Sequence, residues 1–224
     1  MNSFPISIVD GFFSNPDAIR QYALSLDYKP DPDNRWPGMR SGLIHVINPG
    51  LFISLTSKFF SIYYDLNRDD IQWSVRSFFQ LVDSGNMSGW IHTDSSPSLG
   101  NTASIVGGII YLSPEAPLGS GTSIYRLKKE YQTASYENEP FKRQHYKGEM
   151  CPEQASKHRV DHNSQFEETV RVGNVYNRLI SFDATQFHGA QDFFGDNKDS
   201  RLTLVFFIDK ITTARTPVRR MSEV

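Results

Sequence analysis

The sequence predicts a mainly β fold with flanking helices, in which the first third of the chain is helical and the rest is a mainly antiparallel β domain. Apolar residues recur with a helical period near the N-terminus and alternate with polar residues from Ile71 onwards. Several alternating runs are bounded by Gly, Pro, Asn or Asp, which mark turns. The 224 residues are expected to form one domain, because all-β units of roughly 200–250 residues occur as single domains.

Residues 1–70 are predicted to be helical support packed on the β domain. A short extended segment at 6–9 precedes Asn15-Pro16-Asp17, where an N-cap residue, a proline in the first turn and an acid mark the start of a helix. A second helix is predicted over 51–66, where apolar residues share one face. Between the two helices, Trp36-Pro37-Gly38 marks a turn.

Two blocks, 71–126 and 173–209, are predicted to form the β core. In the first run Ile71, Trp73 and Val75 alternate with polar residues, and a period of two is typical of a strand. The expected strands cover 71–81, 102–112, 122–126, 178–182 and 201–209.

The segment 127–172, between the two blocks, breaks this pattern. It is rich in Lys, Glu, Gln and His, and its apolar residues are too sparse to hold either period, so it is expected to be an irregular polar insert. It contains His158 and His162, which would share one face of a helix and could bind a metal there. A solvated face of the insert is the favoured interpretation of these two histidines.

Composition and charge disfavour several classes of protein. A formal net charge of −2 supplies no broad basic field, which argues against nucleic-acid and anionic-membrane partners. The longest mostly apolar stretch, 103–112, falls short of the roughly 18 residues that a membrane-spanning helix needs. No signal peptide is evident, and the single cysteine, Cys151, cannot form an internal disulfide; both features are expected of a cytoplasmic protein. The oligomeric state stays open.

His92 and Asp94 are the first candidate metal ligands. In an extended segment alternate side chains share a face about 6.6 Å apart, so one imidazole and one carboxylate can reach the same ion. His188, which follows an apolar strand and precedes a Gly turn, is the candidate third ligand. Two His and one carboxylate leave coordination positions open, as in non-haem Fe(II) oxygenases, although a zinc hydrolase could use similar ligands.

Arg201 favours the oxygenase over the hydrolase. It is expected on the same side of the last strand as Thr203, among aromatic and aliphatic neighbours. A guanidinium in such surroundings requires an anionic partner, and its planar fork suits a carboxylate. The partner could be a core carboxylate such as Asp183 or a dicarboxylate cosubstrate, for which a hydrolase has no evident need.

In this order, His92, Asp94, His188 and Arg201 resemble the H-x-D motif, distal His and downstream Arg of the Fe(II)/2-oxoglutarate-dependent oxygenases. The resemblance covers about residues 71–209 and is to the prolyl-hydroxylase-like members. It implies a double-stranded β-helix, which is a jelly-roll, cupin-like barrel. It also implies Fe(II) on the two histidines and the aspartate, with O2 taking a remaining position.

The resemblance further implies a binding site for 2-oxoglutarate. Arg201 would hold the distal carboxylate, assisted by Thr203 and by Tyr111, which stands where prolyl-hydroxylase-like members carry a tyrosine that hydrogen-bonds the cosubstrate. Phe207 stands where oxygenases that repair alkylated bases carry a further arginine, which argues against a nucleobase substrate. Two N-terminal segments, 8–20 and 37–41, resemble a little-characterised group of bacterial and phage homologues.

The implied activity is hydroxylation of an unidentified amino acid, peptide or small metabolite, with release of succinate and CO2. The alternative is a non-catalytic jelly-roll module that binds a metal or a ligand, and formation of succinate would separate the two. Because the insert 127–172 leaves and rejoins the chain beside strands of the site, it is expected to cover the mouth of the site and to help choose the substrate. A solvated insert without a role is the alternative, in which case residues 36–40 are the next candidates for choosing the substrate.

Overall fold

The computed structural model describes residues 4–33, 35–86, 89–95, 104–135, 137–215 and 217, and it shows two antiparallel sheets with a few helices. The strands are β1 (Ser7–Val9), β2 (Lys29–Pro30), β3 (Met39–Arg40), β4 (Ile71–Val82), β5 (Val106–Tyr111), β6 (Thr122–Leu127), β7 (Phe166–Val172), β8 (Leu179–Asp183), β9 (Phe187–Ala190) and β10 (Arg201–Thr213). The helices are α1 (Pro16–Leu24), α2 (Ile44–Ile47), α3 (Pro49–Phe60), α4 (Glu139–Tyr146) and α5 (Pro152–Asn163). The predicted mainly β class is confirmed.

The larger sheet has seven strands in the order β1-β8-β5-β10-β4-β3-β2. Its central strand, β10, pairs antiparallel with β5 on one side and with β4 on the other. Because side chains alternate along a strand, Leu202 and Leu204 enter the hydrophobic core while Arg201 and Val205 line a cavity on the opposite face. One strand therefore supplies both the core and the wall of the site.

The core lies between this sheet and the N-terminal helices. Phe59 of α3 contacts Phe206 of β10 edge to face, with ring centroids 4.9 Å apart, and Phe60 stacks on Trp73 of β4 at 4.5 Å. These aromatic pairs bury large apolar areas, which stabilises the packing of α3 on the sheet.

Both predicted helices are present, and both begin with the same signal. Asn15 caps α1 by accepting a hydrogen bond from the backbone of Ala18 at 3.1 Å, and Asn48 caps α3 in the same way. Helix α3 ends at Phe60 rather than at residue 66, because turns follow it. The first third is also less purely helical than predicted, since it adds β1 to one edge of the large sheet and β2–β3 to the other.

The smaller sheet has three strands in the order β7-β6-β9. His188 is on β9, which pairs with β6, and β7 comes from the predicted insert. The expectation of an irregular insert is wrong, since 127–172 contains α4, α5 and β7. Its buried side chains include polar ones such as Lys142 and His162, so an apolar period does not reveal the helices.

The remaining predicted strands agree with the structure within a few residues, although 102–103 lie outside the described part of the chain. No helix within the described ranges is both long enough and apolar enough to cross a bilayer.

Candidate metal centre

A cavity of about 770 Å³, counted with its open mouth, lies between the two sheets. Both sheets contribute to it, because β4, β5 and β10 form one wall and β6 and β9 form the other. The lining residues important for the site are Trp36, Arg40, Gln80, His92, Asp94, Tyr146, His188 and Arg201.

The backbones of His92 and His188 pair with each other at the base of this site. Each backbone N–H donates to the carbonyl oxygen of the other residue at 2.9 Å, and the two ring centroids are 4.4 Å apart. This isolated bridge brings the H-x-D segment against β9, so residues distant in sequence present their imidazoles side by side.

Both imidazoles are oriented by backbone carbonyl groups. The Nδ1 of His92 lies 2.9 Å from the carbonyl oxygen of Trp90, and the Nδ1 of His188 lies 3.0 Å from that of Gln186. A carbonyl oxygen can only accept, so each Nδ1 carries the proton and each Nε2 keeps a free lone pair. These Nε2 atoms lie 3.8 and 3.5 Å from the carboxylate oxygens of Asp94.

The three residues form a group that could hold a metal ion, since their ligand atoms lie within 4.8 Å of one another. Burial, followed by the neighbouring His188, lowers the pKa of His92 well below its ordinary value. The neutral imidazole is the form that binds metals.

Asp94 is positioned by a backbone hydrogen bond, and the glycine beside it leaves space for its carboxylate. Its N–H donates to the carbonyl oxygen of Ala184 at 3.0 Å, which ties the segment to the end of β8. A Cβ on Gly107 of β5 would lie 2.5 Å from the Asp94 Oδ2 atom. A methyl group at position 107 would therefore displace the Asp94 carboxylate from this position.

The end of α5 supports the segment that carries His92. The Nε2 of His162 lies 2.7 Å from the carbonyl oxygen of Ile91, and Asn163 accepts from the Ile91 N–H and donates to the carbonyl oxygen of Gly89. His162 is 2% exposed, so the interpretation of a solvated face is wrong for this residue. His158, one turn earlier, instead stacks on Phe141 at 3.7 Å.

Arg201 is buried with part of its hydrogen-bonding capacity unused. Its Nε donates to the carbonyl oxygen of Ser120 at 2.9 Å, whereas its Nη2 is buried without an acceptor among the described residues. No described carboxylate pairs with it, and Asp183 instead accepts from Thr185. Burial lowers the pKa of Arg201, but an arginine stays charged. The site therefore offers an uncompensated cation.

Thr203 and Tyr111 lie beside Arg201 on adjacent strands. They are direct partners in the β5–β10 register, and both side chains are fully buried. The Thr203 hydroxyl has no partner among the described residues, while the Tyr111 hydroxyl donates to Thr122 at 2.9 Å. Burial raises the pKa of Tyr111, which keeps it a neutral donor.

Arg40 and Gln80 also line the cavity. The sequence offered 36–40 as second-choice candidates for substrate selection, and it assigned Gln80 no role. Arg40 is on the short strand β3, opposite Gln80 of β4, and its guanidinium lies 4.0 Å from the ring centroid of Trp36. The sequence marked Trp36-Pro37-Gly38 as a turn, and Gly38 has a positive φ of 71°. An arginine two residues after an aromatic turn was the available signal.

Solved structures share the fold of this chain. Two structures of HygX from Streptomyces hygroscopicus resemble the chain over 91% of its length and 82% of theirs: one with nickel and 2-oxoglutarate bound (TM-score 0.53, 13% identity) and one that also holds hygromycin B (TM-score 0.51, 12% identity). The chain also resembles a prolyl hydroxylase from Trichoplax adhaerens in complex with a hypoxia inducible factor oxygen degradation domain peptide fragment. The TM-score is 0.50 and the identity 10%, over 91% of this chain and 82% of that one. The chain therefore has the fold of the Fe(II)/2-oxoglutarate-dependent oxygenases, as its sequence resemblance implied.

The sequence itself assigns the chain to a family. Residues 1–208 match the model described as "Family of unknown function (DUF6445)", and the chain belongs to that family. No curated protein matches it in sequence.

Proposed function

We propose that the protein is an Fe(II)- and 2-oxoglutarate-dependent oxygenase that hydroxylates a small-molecule or peptide substrate. The observation that carries the proposal is the pairing, in one cavity, of a His-Asp-His group with a buried arginine whose Nη2 lacks an acceptor among the described residues. The His-Asp-His group matches the ligand set of non-haem Fe(II) enzymes. The buried arginine is suited to bind a carboxylate. We also interpret the two facing sheets as a double-stranded β-helix.

His92, Asp94 and His188 would hold the metal. Three protein ligands leave positions for a cosubstrate and O2. The carbonyl oxygens of Trp90 and Gln186 hold both Nε2 lone pairs toward the ion, and Gly107 leaves the space that Asp94 needs.

Arg201 would bind the distal carboxylate of 2-oxoglutarate through its free Nη2, and the Thr203 hydroxyl would donate to the same group. Tyr111 stands next to both and supports the site through its bond to Thr122. Burial removes competing water, which strengthens a charge-assisted hydrogen bond.

The iron and its cosubstrate would supply the oxidising chemistry: one oxygen atom of O2 enters a C–H bond of the substrate and the other enters succinate, with loss of CO2. The chain itself positions the reactants and excludes water. Aromatic side chains line the cavity and would help to exclude water: Trp36, Phe182, Phe193 and Phe207.

Anaerobic titration of the metal-free protein with Fe(II), followed by 2-oxoglutarate, tests the proposal. We expect one iron per chain and one equivalent of 2-oxoglutarate, and slow succinate formation on admission of O2. His92→Ala, Asp94→Ala and His188→Ala should each abolish tight iron binding, because a cation with two protein ligands is held mostly by water. His45→Ala, an exposed histidine on α2, is the control.

Wild-type iron stoichiometry in any of the three variants would remove that residue from the metal site. Binding of iron and 2-oxoglutarate without any succinate would instead favour the non-catalytic module.

A further inference from the structure

Arg40 is a second arginine on the wall of the cavity that holds the His-Asp-His group. In the large sheet Arg40 is opposite Gln80, and Gln80 is opposite Thr203. Two strand spacings, on the order of 10 Å, therefore separate the backbones of Arg40 and Thr203. Arg40 is thus displaced across the sheet from the proposed 2-oxoglutarate site.

One edge of the Arg40 guanidinium is hydrogen-bonded, and another edge is not. Its Nε and Nη2 donate to the Gln80 Oε1 atom at 3.4 and 3.3 Å, and the Gln80 amide nitrogen is fixed by the carbonyl oxygen of Pro37 at 2.9 Å. Its Nη1 has no acceptor among the described residues. The indole Nε1 of Trp36, under the same guanidinium, is buried and also without an acceptor in the described part of the chain.

Several other arginines of the described part of the chain have carboxylate partners, although Arg201 does not. Arg76 pairs with Asp209 at 2.7 Å, and Arg178 pairs with Asp10 at 2.5 Å. Arg40 forms no ion pair with a described carboxylate: Asp94, its strongest charged influence, is a candidate metal ligand, and Asp31, the next, already accepts from Arg35. Burial lowers the pKa of Arg40 to about 9, which leaves it charged at neutral pH.

We propose that Arg40 and Trp36 bind a carboxylate of the prime substrate, so that the substrate is a carboxylate-bearing small molecule or a peptide with a free C-terminus. This inference rests on the proposed function, because it takes the cavity as a catalytic site and Arg201 as the residue for 2-oxoglutarate.

A carboxylate fits the unused groups best. Its two oxygens match the planar Nη1–Nη2 edge, and the Trp36 indole offers a further N–H. Gln80 and the aromatic rings fix the guanidinium in advance, so little side-chain freedom is lost on binding.

The test measures binding by calorimetry, without O2, to protein loaded with Mn(II) and saturating 2-oxoglutarate. The probes are N-acetylated amino acids and tripeptides, each as the free carboxylate and as the primary amide. We expect some carboxylates to bind at least about 10-fold more tightly than their amides. Arg40→Gln should lose this preference, Arg40→Lys should keep part of it, and Trp36→Phe should weaken it because the ring stays but the N–H is lost.

Arg68→Gln is the matched control, since Arg68 pairs with Asp65, its side chain is 81% exposed, and it does not line the cavity. The Arg40 variants should keep wild-type binding of Mn(II) and 2-oxoglutarate. Equal binding of carboxylates and amides, no binding of any carboxylate, or an unchanged preference in Arg40→Gln would each overturn the inference. Loss of 2-oxoglutarate binding in Arg40→Gln would also overturn it, because Arg40 would then serve the cosubstrate.

A second arm separates this inference from the proposed function. Metal-free Arg201→Ala protein retains Arg40 in its cavity, and it should still prefer carboxylates over amides. If wild-type protein bound neither metal nor 2-oxoglutarate while this preference persisted, the oxygenase proposal would fail and the carboxylate site would stand.

Discussion

His162 Nε2 lies 2.7 Å from the carbonyl oxygen of Ile91, so the end of α5 directly supports the residue that precedes His92. The insert therefore supports the candidate metal site, and Tyr146 of the insert lines the cavity. Removal of residues 130–168 would remove this support, so such a truncation cannot isolate an effect on substrate choice.

The first prediction concerns this bond. His162→Phe keeps a ring of similar size and leaves the Ile91 carbonyl oxygen buried without its partner, so we expect iron affinity to fall by about 10-fold. Equilibrium dialysis against Fe(II) under anaerobic conditions measures the change. His158→Phe is the control, because His158 is on the same helix but stacks on Phe141 instead. Equal losses in both variants would point to a general disturbance of α5.

The second prediction concerns Arg201. Arg201→Ala should weaken 2-oxoglutarate binding by about 2 to 4 kcal/mol, on the order of 30- to 1000-fold, with little change in iron affinity. Arg201→Lys should restore only part of the affinity, because an ammonium lacks the planar fork. Calorimetric titration with 2-oxoglutarate measures both, and Arg126→Ala, an exposed residue on β6, is the control. Unchanged affinity in the alanine variant would make Arg201 a structural residue.

The third prediction uses a glycine. Gly107→Ala places a methyl group against the Asp94 carboxylate, so iron affinity should fall by about 10- to 100-fold while the protein still folds. Gly119→Ala is the matched control, since a Cβ there meets nothing within 4 Å. Iron titration together with thermal unfolding distinguishes a lost ligand from a lost fold, and wild-type iron affinity in Gly107→Ala would contradict the close approach.

The fourth prediction concerns stability. Asn177 has a positive φ of 61°, and its buried side chain accepts from the Phe13 N–H and donates to the Phe13 carbonyl oxygen, both at 2.8 Å. Asn177→Ala loses both bonds and strains the backbone, so the free energy of unfolding should fall by about 2 to 4 kcal/mol. Asn197 also has a positive φ but is exposed. Asn197→Ala should therefore lower the free energy of unfolding by only about 1 kcal/mol or less. Urea unfolding of both variants measures the difference, and equal losses would assign the effect to the backbone alone.

The sequence predicted long alternating strands well because their periodicity reflects burial on one face. On β10 this also placed Arg201 and Thr203 on the face opposite the core. The isolated pairing of His92 with His188 was not predictable, because it joins a nonperiodic segment to the four-residue strand β9. Helix α5 escaped prediction for a related reason: its buried His162 is polar, and apolar patterns do not register it.

The alternation along β10 also constrains how the length of this chain can change during evolution. Inserting or deleting one residue between Arg201 and Phe207 would break this alternation, so that side chains on one side of the change would exchange the core face for the cavity face. The preceding segment, 191–200, crosses between the sheets through a positive φ at Gly195 and a short 3-10 turn, so it can absorb added residues. Homologous chains should therefore vary in the number of residues between His188 and Arg201. The number of residues from Arg201 to Phe207 should stay constant.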